Sequence, residues 1–509
     1  MFIVTHDILK SAPLTPKLSK MKFNKIISVF VLLLVITVIA TQCNTNDVTE
    51  KENSKTITPV DLPSIVPGFT FPEDSNKIYS WLNNSKFPNN YDSVSVYNHA
   101  WGIWAGLTSK TNQAYAGDSL LVFETWQGIT EIREIIKEMN AAGVAKETLK
   151  KTGRSLLAKP NQFEHGFSVQ GNKPKAMAVR NANDTIDTNA ANNPWVTVSY
   201  SPGAAKYAIK NKILDTSVLN TYKVAGGIGS IPPFPNTSVT VKPVYIVGSK
   251  TDSLIMVPVW PGAPIPAKAF PSSDWPRCVY ADVHNRQKPN KAVVPAIQGQ
   301  TNPDSIKAAT CNLSDFINFK VDSTMAAYMN AADSTEDGSG FAKAGSIAIL
   351  VAMHVTSKEI NNWTWQSFYW APDPAQPFDP SSNLAASLKP SQLQGAASHY
   401  ALVTAYAMVL PNQPINGGTN AGTIAMLGYN PYLEAGFSQL PPNTPTNQFG
   451  VQSNCMSCHA LATPDNSLGY NTDIYLSMND AIYKNKVQLD FAWSIQGNLI
   501  LDSVKNKPK

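Results

Sequence analysis

Ile347-Ala348-Ile349-Leu350-Val351-Ala352-Met353-His354-Val355 is an unbroken apolar run with a single polar side chain, His354. Bounded by polar, Gly-containing sequence before it and Lys358 after it, the run reads as a strand buried on both faces, the centre of a sheet. Period-2 alternation puts Leu350, Ala352 and His354 on one face and Ile349, Val351 and Met353 on the other. A histidine at the end of such a strand needs a partner. It is either a core histidine bonded to a backbone carbonyl or to Glu359, or a ligand or proton donor facing a pocket.

Further strand patterns lie on either side. Upstream, Val196-Thr197-Val198-Ser199-Tyr200 and Val239-Thr240-Val241 alternate, followed by Val244-Tyr245-Ile246-Val247 and Leu254-Ile255-Met256-Val257-Pro258-Val259-Trp260, with Gly or Pro clusters between them. Downstream, Asn362-Trp363-Thr364-Trp365-Gln366-Ser367-Phe368-Tyr369-Trp370 is dense in large aromatics, which either fill the core or wall a cofactor. Nearer the N-terminus, Trp101, Ile103, Trp104 and Leu107 have helical spacing, as do the residues from Ser119 to Trp126 with Ile129, Ile132 and Ile136; these aromatics read as core. The expected fold class is α+β: a large mixed domain over 91–440, helical first and β-rich in the middle. A polar tether over 44–90 precedes it, and a small, mainly helical segment over 441–509 follows the Pro441-Pro442-Asn443-Thr444-Pro445 boundary.

That last segment holds Cys455-Met456-Ser457-Cys458-His459, a C-x-x-C-H run. It is the attachment pattern of c-type haem, in which two thiols become thioethers to the haem vinyl groups and the histidine takes an axial iron position. Positions i, i+3 and i+4 share one helix face, so both sulfurs and the imidazole of His459 can converge on one macrocycle. A zinc half-site would need further ligands, and the chain has no second close Cys pair; a redox dithiol would need a βαβ context that this segment lacks. Met478, His354, His399 and Met426 are candidates for the sixth iron position, Met478 first because it shares the segment and His354 next. An open position is the alternative. A methionine ligand favours electron transfer and an open site favours small-ligand chemistry.

The N-terminus agrees with export. Met21, basic Lys22 and Lys25, an apolar run from Ile26 to Ala40 and then Cys43 form a signal peptide, with residues 1–20 as a polar extension. The run of about 15 residues is shorter than the roughly 20 needed to span a bilayer. Cys43 is placed as the lipid acceptor of a bacterial lipoprotein, which would anchor the chain to a membrane; cleavage after Ala40 is the alternative. Of the five cysteines, Cys278 and Cys311 are left over, either as a disulfide or as two buried thiols. The formal charge of +5 includes Lys10, Lys17, Lys20, Lys22, Lys25 and Asp7; without them 36 basic and 35 acidic residues remain. No basic block of the kind nucleic-acid binding needs is present.

The order of segments resembles that of exported bacterial proteins described as cytochrome c family or cytochrome c domain-containing proteins with a single C-terminal C-x-x-C-H, a group without an assigned reaction. The similarity rests on His99-Ala100-Trp101-Gly102-Ile103-Trp104, Val241-Lys242-Pro243-Val244-Tyr245, Met353-His354-Val355 with Lys358, Trp363-Thr364-Trp365-Gln366-Ser367-Phe368 and the haem motif, and spans most of residues 91–460. It implies one covalent haem c held by Cys455, Cys458 and His459. The expected role is one-electron transfer in the cell envelope, in the periplasm or at the outer membrane surface, to a redox partner protein. The alternatives are a peroxidase-like haem oxidoreductase, with His354 as acid or base, and a haem redox sensor; size motivates both, since so large a domain exceeds what carrying one electron requires.

Overall fold

The computed structural model describes residues 56–115, 118–142, 194–248, 254–332, 343–414, 422–438, 449–465, 467–469 and 472–501, with the short strands Arg154–Ser155, Glu164–His165 and Ile186–Asp187. The signal segment, Cys43 and the Pro441–Pro445 boundary lie outside the described residues. The fold is α+β.

The Ile347 run is the middle of a nine-stranded sheet. In chain order its strands are β1 (Gln127–Gly128), β2 (Glu164–His165), β3 (Pro194–Val196), β4 (Ser199–Tyr200), β5 (Val239–Gly248), β6 (Asn318–Lys320), β7 (Ile347–Ser357), β8 (Thr364–Trp370) and β9 (Tyr400–Thr404). The spatial order is β9-β8-β7-β5-β3-β2, with β6 beside β7, β4 beside β5 and β1 beside β4. All pairs are antiparallel. Every residue of β7 is buried except the partly buried His354, as expected for a strand covered on both faces. Pro243 does not end β5; it sits just before a register shift between Val244 and Tyr245, where an irregular ladder tolerates a missing N–H. Likewise the run from Val196 to Tyr200 is two short strands interrupted at Thr197 and Val198.

One sheet face carries α2 (Ser93–Thr108), which follows α1 (Ser75–Leu82). Asp92 caps α2 by accepting from Ser95 N at 3.1 Å. Trp104 stacks on Phe368 of β8 at 4.2 Å between ring centroids, and the indoles of Trp101 and Trp104 donate to the Ala385 and Ala397 carbonyls. Both rings are fully buried, so these tryptophans are core; truncating either would cost about 3–5 kcal/mol. Two expectations need correction here. Residues 44–90 are not all tether, because α1 buries Ile78 and Leu82 against the second hydrophobic core. Ser119–Leu121 belongs to a hairpin strand, and helix α3 begins only at Ile129, running to Ala142.

Leu254–Pro258 leaves the main sheet for a five-stranded one with Arg277–Asp282, Thr310–Asn312, Ala296–Ile297 and Ile186–Asp187. Cys278 and Cys311 lie in that sheet as free, buried thiols. Cys311 stands opposite Ala281, three residues along the strand from Cys278, which is about 10 Å at ~3.3 Å per residue and too far for a disulfide.

The C-terminal segment covers the other face of the main sheet and shares the second core with Ile78, Ile132 and Tyr200 through Met456, Ala460 and Leu461. It belongs to the same unit as the sheet, Thr56–Lys509. Its described helices are short, from the six-residue α4 (Cys455–Ala460) to α5 (Trp493–Gln496). No helix among the described residues is long and apolar enough to cross a membrane.

Candidate functional site

Strand register decides what meets the C-x-x-C-H helix. Thr240 pairs with Thr356 and Lys242 with His354 across β5 and β7, while His354 pairs with Ser367 and Thr356 with Trp365 across β7 and β8. Directly paired residues project to the same side, so Thr240, Lys242, His354, Thr356 and Trp365 share one face. Together with Cys455, Cys458 and His459 they line a cavity of about 410 Å³, within the range of about 300–1,000 Å³ for ligand pockets. Val196, Val198, Val241, Phe437, Phe491 and Trp493 supply apolar wall.

Local sequence holds the motif in place. Asn454 caps α4 by accepting from Ser457 N at 2.9 Å, and its amide donates to the Ala407 and Met426 carbonyls. Gly450, ahead of the helix, presses on the segment carrying Glu434. A Cβ there would stand 1.5 Å from the Glu434 carbonyl oxygen, so only glycine allows the approach.

The donors fit covalent haem better than the alternatives. Burial pushes the Cys458 thiol up to about 12 and the Cys455 thiol well above its ordinary value. Redox dithiols and zinc ligands need the opposite, a stabilised thiolate. A thioether is neutral and tolerates an apolar site. The Cys455 thiol donates to the Gly428 carbonyl at 2.9 Å, and that carbonyl also accepts from Cys455 N; the Cys458 thiol lies 3.6 Å from the Thr472 carbonyl, which also accepts from Asn454 N. Loss of both thiol protons therefore strands no buried acceptor. Trp363 on the cavity wall keeps one buried donor, its indole N–H, without a hydrogen-bond partner.

His459 is pre-set as a ligand. Its Nδ1 lies 2.7 Å from the Phe491 carbonyl oxygen, which can only accept, so Nδ1 carries the proton and the lone pair is on Nε2. Burial pushes its pKa down to about 3, keeping the imidazole neutral. Trp365 lies against the ring at 4.1 Å between centroids, and the Trp493 indole donates to the Cys458 carbonyl at 3.0 Å.

Of the four residues considered for a sixth position, the structure brings one to the cavity. His354 lines it, with Nε2 2.8 Å from Glu434 Oε1 rather than bonded to Glu359. Burial alone would raise the Glu434 carboxyl, but His354, the Asn430 N–H at 2.7 Å and the charge of Lys242 outweigh it and hold the group below its ordinary value. Met478 is partly buried in the second core, with its carbonyl accepting from Gln488 at 2.7 Å, and does not line the cavity. His399 stacks on Trp370 and bonds Asn290 at 3.0 Å in another part of the fold. Met426 does not line the cavity either; it is partly buried against the second core and its carbonyl accepts from Asn454. Among the described residues no group of three or more His, Cys, Asp or Glu could hold a metal ion by itself.

The aromatic run divides between cavity and core: Trp363 and Trp365 wall the cavity, Phe368 and Trp370 fill the first core from the opposite face, and Tyr369, on the Trp365 side of the alternation, is in the first core as well. Sequence reasoning missed Glu434, which has no motif around it, and the Phe491 carbonyl, a backbone group that composition cannot signal. No family model matches the chain, and neither does any curated protein or solved structure.

Proposed function

We propose that the chain is an exported mono-haem c-type cytochrome that moves single electrons in the cell envelope, anchored through a lipid on Cys43 and exchanging electrons with a partner protein. The observation that carries this reading is the convergence of Cys455, Cys458 and His459 on one largely apolar cavity. When bound, haem would supply an iron that cycles between two oxidation states. Cys455 and Cys458 would fix it to α4, and His459 would hold the proximal side. Trp365, Phe491, Trp493 and the valines exclude water, which lowers the local dielectric and favours the less charged, reduced state.

The test is Cys458→Ser in protein matured in a periplasm. The variant is expected to lose most haem-staining after denaturing electrophoresis and to shift the α-band of any residue that remains. A band as strong as that of the wild type would overturn covalent attachment at this motif. For the anchor, Cys43→Ser is expected to move the protein from salt-washed membranes to the soluble fraction; a variant that stays with membranes would refute lipidation there.

A second reading, a haem-dependent oxidoreductase, is favoured by the His354–Glu434 pair. A histidine held by a carboxylate on the wall of the same cavity can take or give a proton to a bound small molecule. Carbon monoxide added to dithionite-reduced protein separates the two readings. An unchanged spectrum means two firm protein ligands and a carrier; a large Soret shift means an available iron position and sends the work to His354.

A further inference from the structure

Two residues outside the cavity lining govern the group that orients His459. Leu489-Asp490-Phe491-Ala492 bends with two consecutive non-glycine residues in the left-handed region, Asp490 at φ 47° and Phe491 at φ 67°. For a bulky residue this conformation is costly and persists only when the surroundings impose it. The imposing contact is on Asp490. Its Oδ1 takes the ammonium of Lys358 at 2.5 Å, and its Oδ2 accepts from Phe234 N at 2.9 Å. Lys358 follows directly on β7, donates also to the Asn361 carbonyl at 2.7 Å and lies 5.5 Å from the centre of the Trp363 ring. Both side chains are about nine-tenths buried, at 8% and 11% exposed. A buried ion pair of this kind is weak evidence of stability, but it fixes geometry, because neither charge can move without losing its partner.

The next residue along, Phe491, presents its carbonyl to His459 Nδ1. We propose that Lys358 and Asp490 are positioning residues: they lock the Asp490–Phe491 turn to the end of β7 so that the Phe491 carbonyl stays on the His459 imidazole, setting the tautomer and basicity of the proximal ligand. This rests on the haem reading above. A strong acceptor on Nδ1 makes Nε2 a better donor to iron, which favours the oxidised state and lowers the reduction potential.

Removing both charges leaves the net charge unchanged, and the Nδ1 exchange rate reads the geometry separately from the field of the lost ion-pair dipole. The holoprotein of Lys358→Met/Asp490→Asn is compared with wild type by potentiometric titration, and by the solvent-exchange rate of the His459 Nδ1 proton in NMR. Haem-staining of both is read first; a wild type without stain would be a failure of the haem reading, not of this one. With haem retained, the double variant is expected to show a higher potential and faster Nδ1 proton exchange. If it does not load haem, Asp490→Asn alone, which keeps an acceptor for Phe234 N, is expected to show the faster exchange. Haem-loaded variants with wild-type potential and wild-type exchange would overturn the proposal.

Discussion

Two histidine–glutamate pairs flank this sheet, and they are built for different ends. His99 of α2 bonds Tyr406 through Nδ1 at 2.8 Å and Glu359 through Nε2 at 3.2 Å, and both side chains are closed to solvent, at 3% and 0% exposed. Glu359 also accepts from Glu73 N at 2.7 Å and from the Ser357 hydroxyl, so its oxygens are occupied. Phe69 and Trp81 seal the imidazole. His354 and Glu434 form the same pair at 2.8 Å, but on the wall of the cavity that holds the C-x-x-C-H motif, at 14% and 16% exposed. The same chemistry is structural where both carboxylate oxygens are bonded and the pair is closed to solvent, and available where one side meets a cavity.

The contrast predicts a large difference on mutation. Glu359→Ala strands His99, Ser357 and the Glu73 N–H in a dry interior, and is expected to destabilise the fold by about 3–5 kcal/mol in denaturant titration. The folded fraction should keep the wild-type haem spectrum. If the spectrum changes instead while stability holds, the roles of the two pairs are reversed.

Glu434→Gln is expected to cost less, about 1–3 kcal/mol at neutral pH, and, on the proposed haem reading, to alter ligand binding at the iron. Its pH dependence follows from the direction of the shift. The Glu434 carboxyl is held below its ordinary 4.5 in the folded state. The stability it contributes is therefore fully present above that value and is lost as pH falls through the lower folded value. Denaturant titrations of wild type and variant should begin to approach one another near pH 4.5 and converge once the pH is below the lowered folded value; a gap that persists unchanged in acid would show that ionised Glu434 is not the stabilising form.

The smallest effect belongs to a third pair. Lys486 and Asp465 meet at 3.0 Å, with Asp465 55% exposed and its carboxyl held at about 2 by hydrogen bonds from Lys486, Thr463 and Ser467 despite partial burial. Solvent screens such a pair, so Lys486→Ala should change stability by less than about 1 kcal/mol and leave the haem spectrum untouched. A larger loss would mean that the loop after the C-x-x-C-H motif depends on it.

How much of this was legible in the sequence varies with how local the signal is. The β7 run, the alternation of β5 and the C-x-x-C-H motif are local patterns, and the structure forms them as strand, strand and helix. Period two places His354 with Ala352, but Leu350 does not share their face, because the register shift opposite Val244 and Tyr245 inserts Val351 as an extra residue in β7. The partner of His354 did not follow, because Glu434 reaches it through a loop far along the chain and Glu359, nearer in sequence, turns to His99. Met478 drew attention by proximity in sequence, yet Gln488 and the second core hold its segment aside from the cavity. The tether was drawn too long because α1 buries only Ile78 and Leu82, too few apolar positions to stand out from a polar stretch.

The central claim is that Cys455 and Cys458 carry one haem in the cavity they line. Mass spectrometry of the peptide spanning both residues, from protein matured in a periplasm, tests it most directly. The account predicts a mass increase of one haem on that peptide, with both thiols blocked to alkylation. Two free, alkylatable thiols and an unmodified mass, in a host that loads haem onto a control cytochrome, would contradict it.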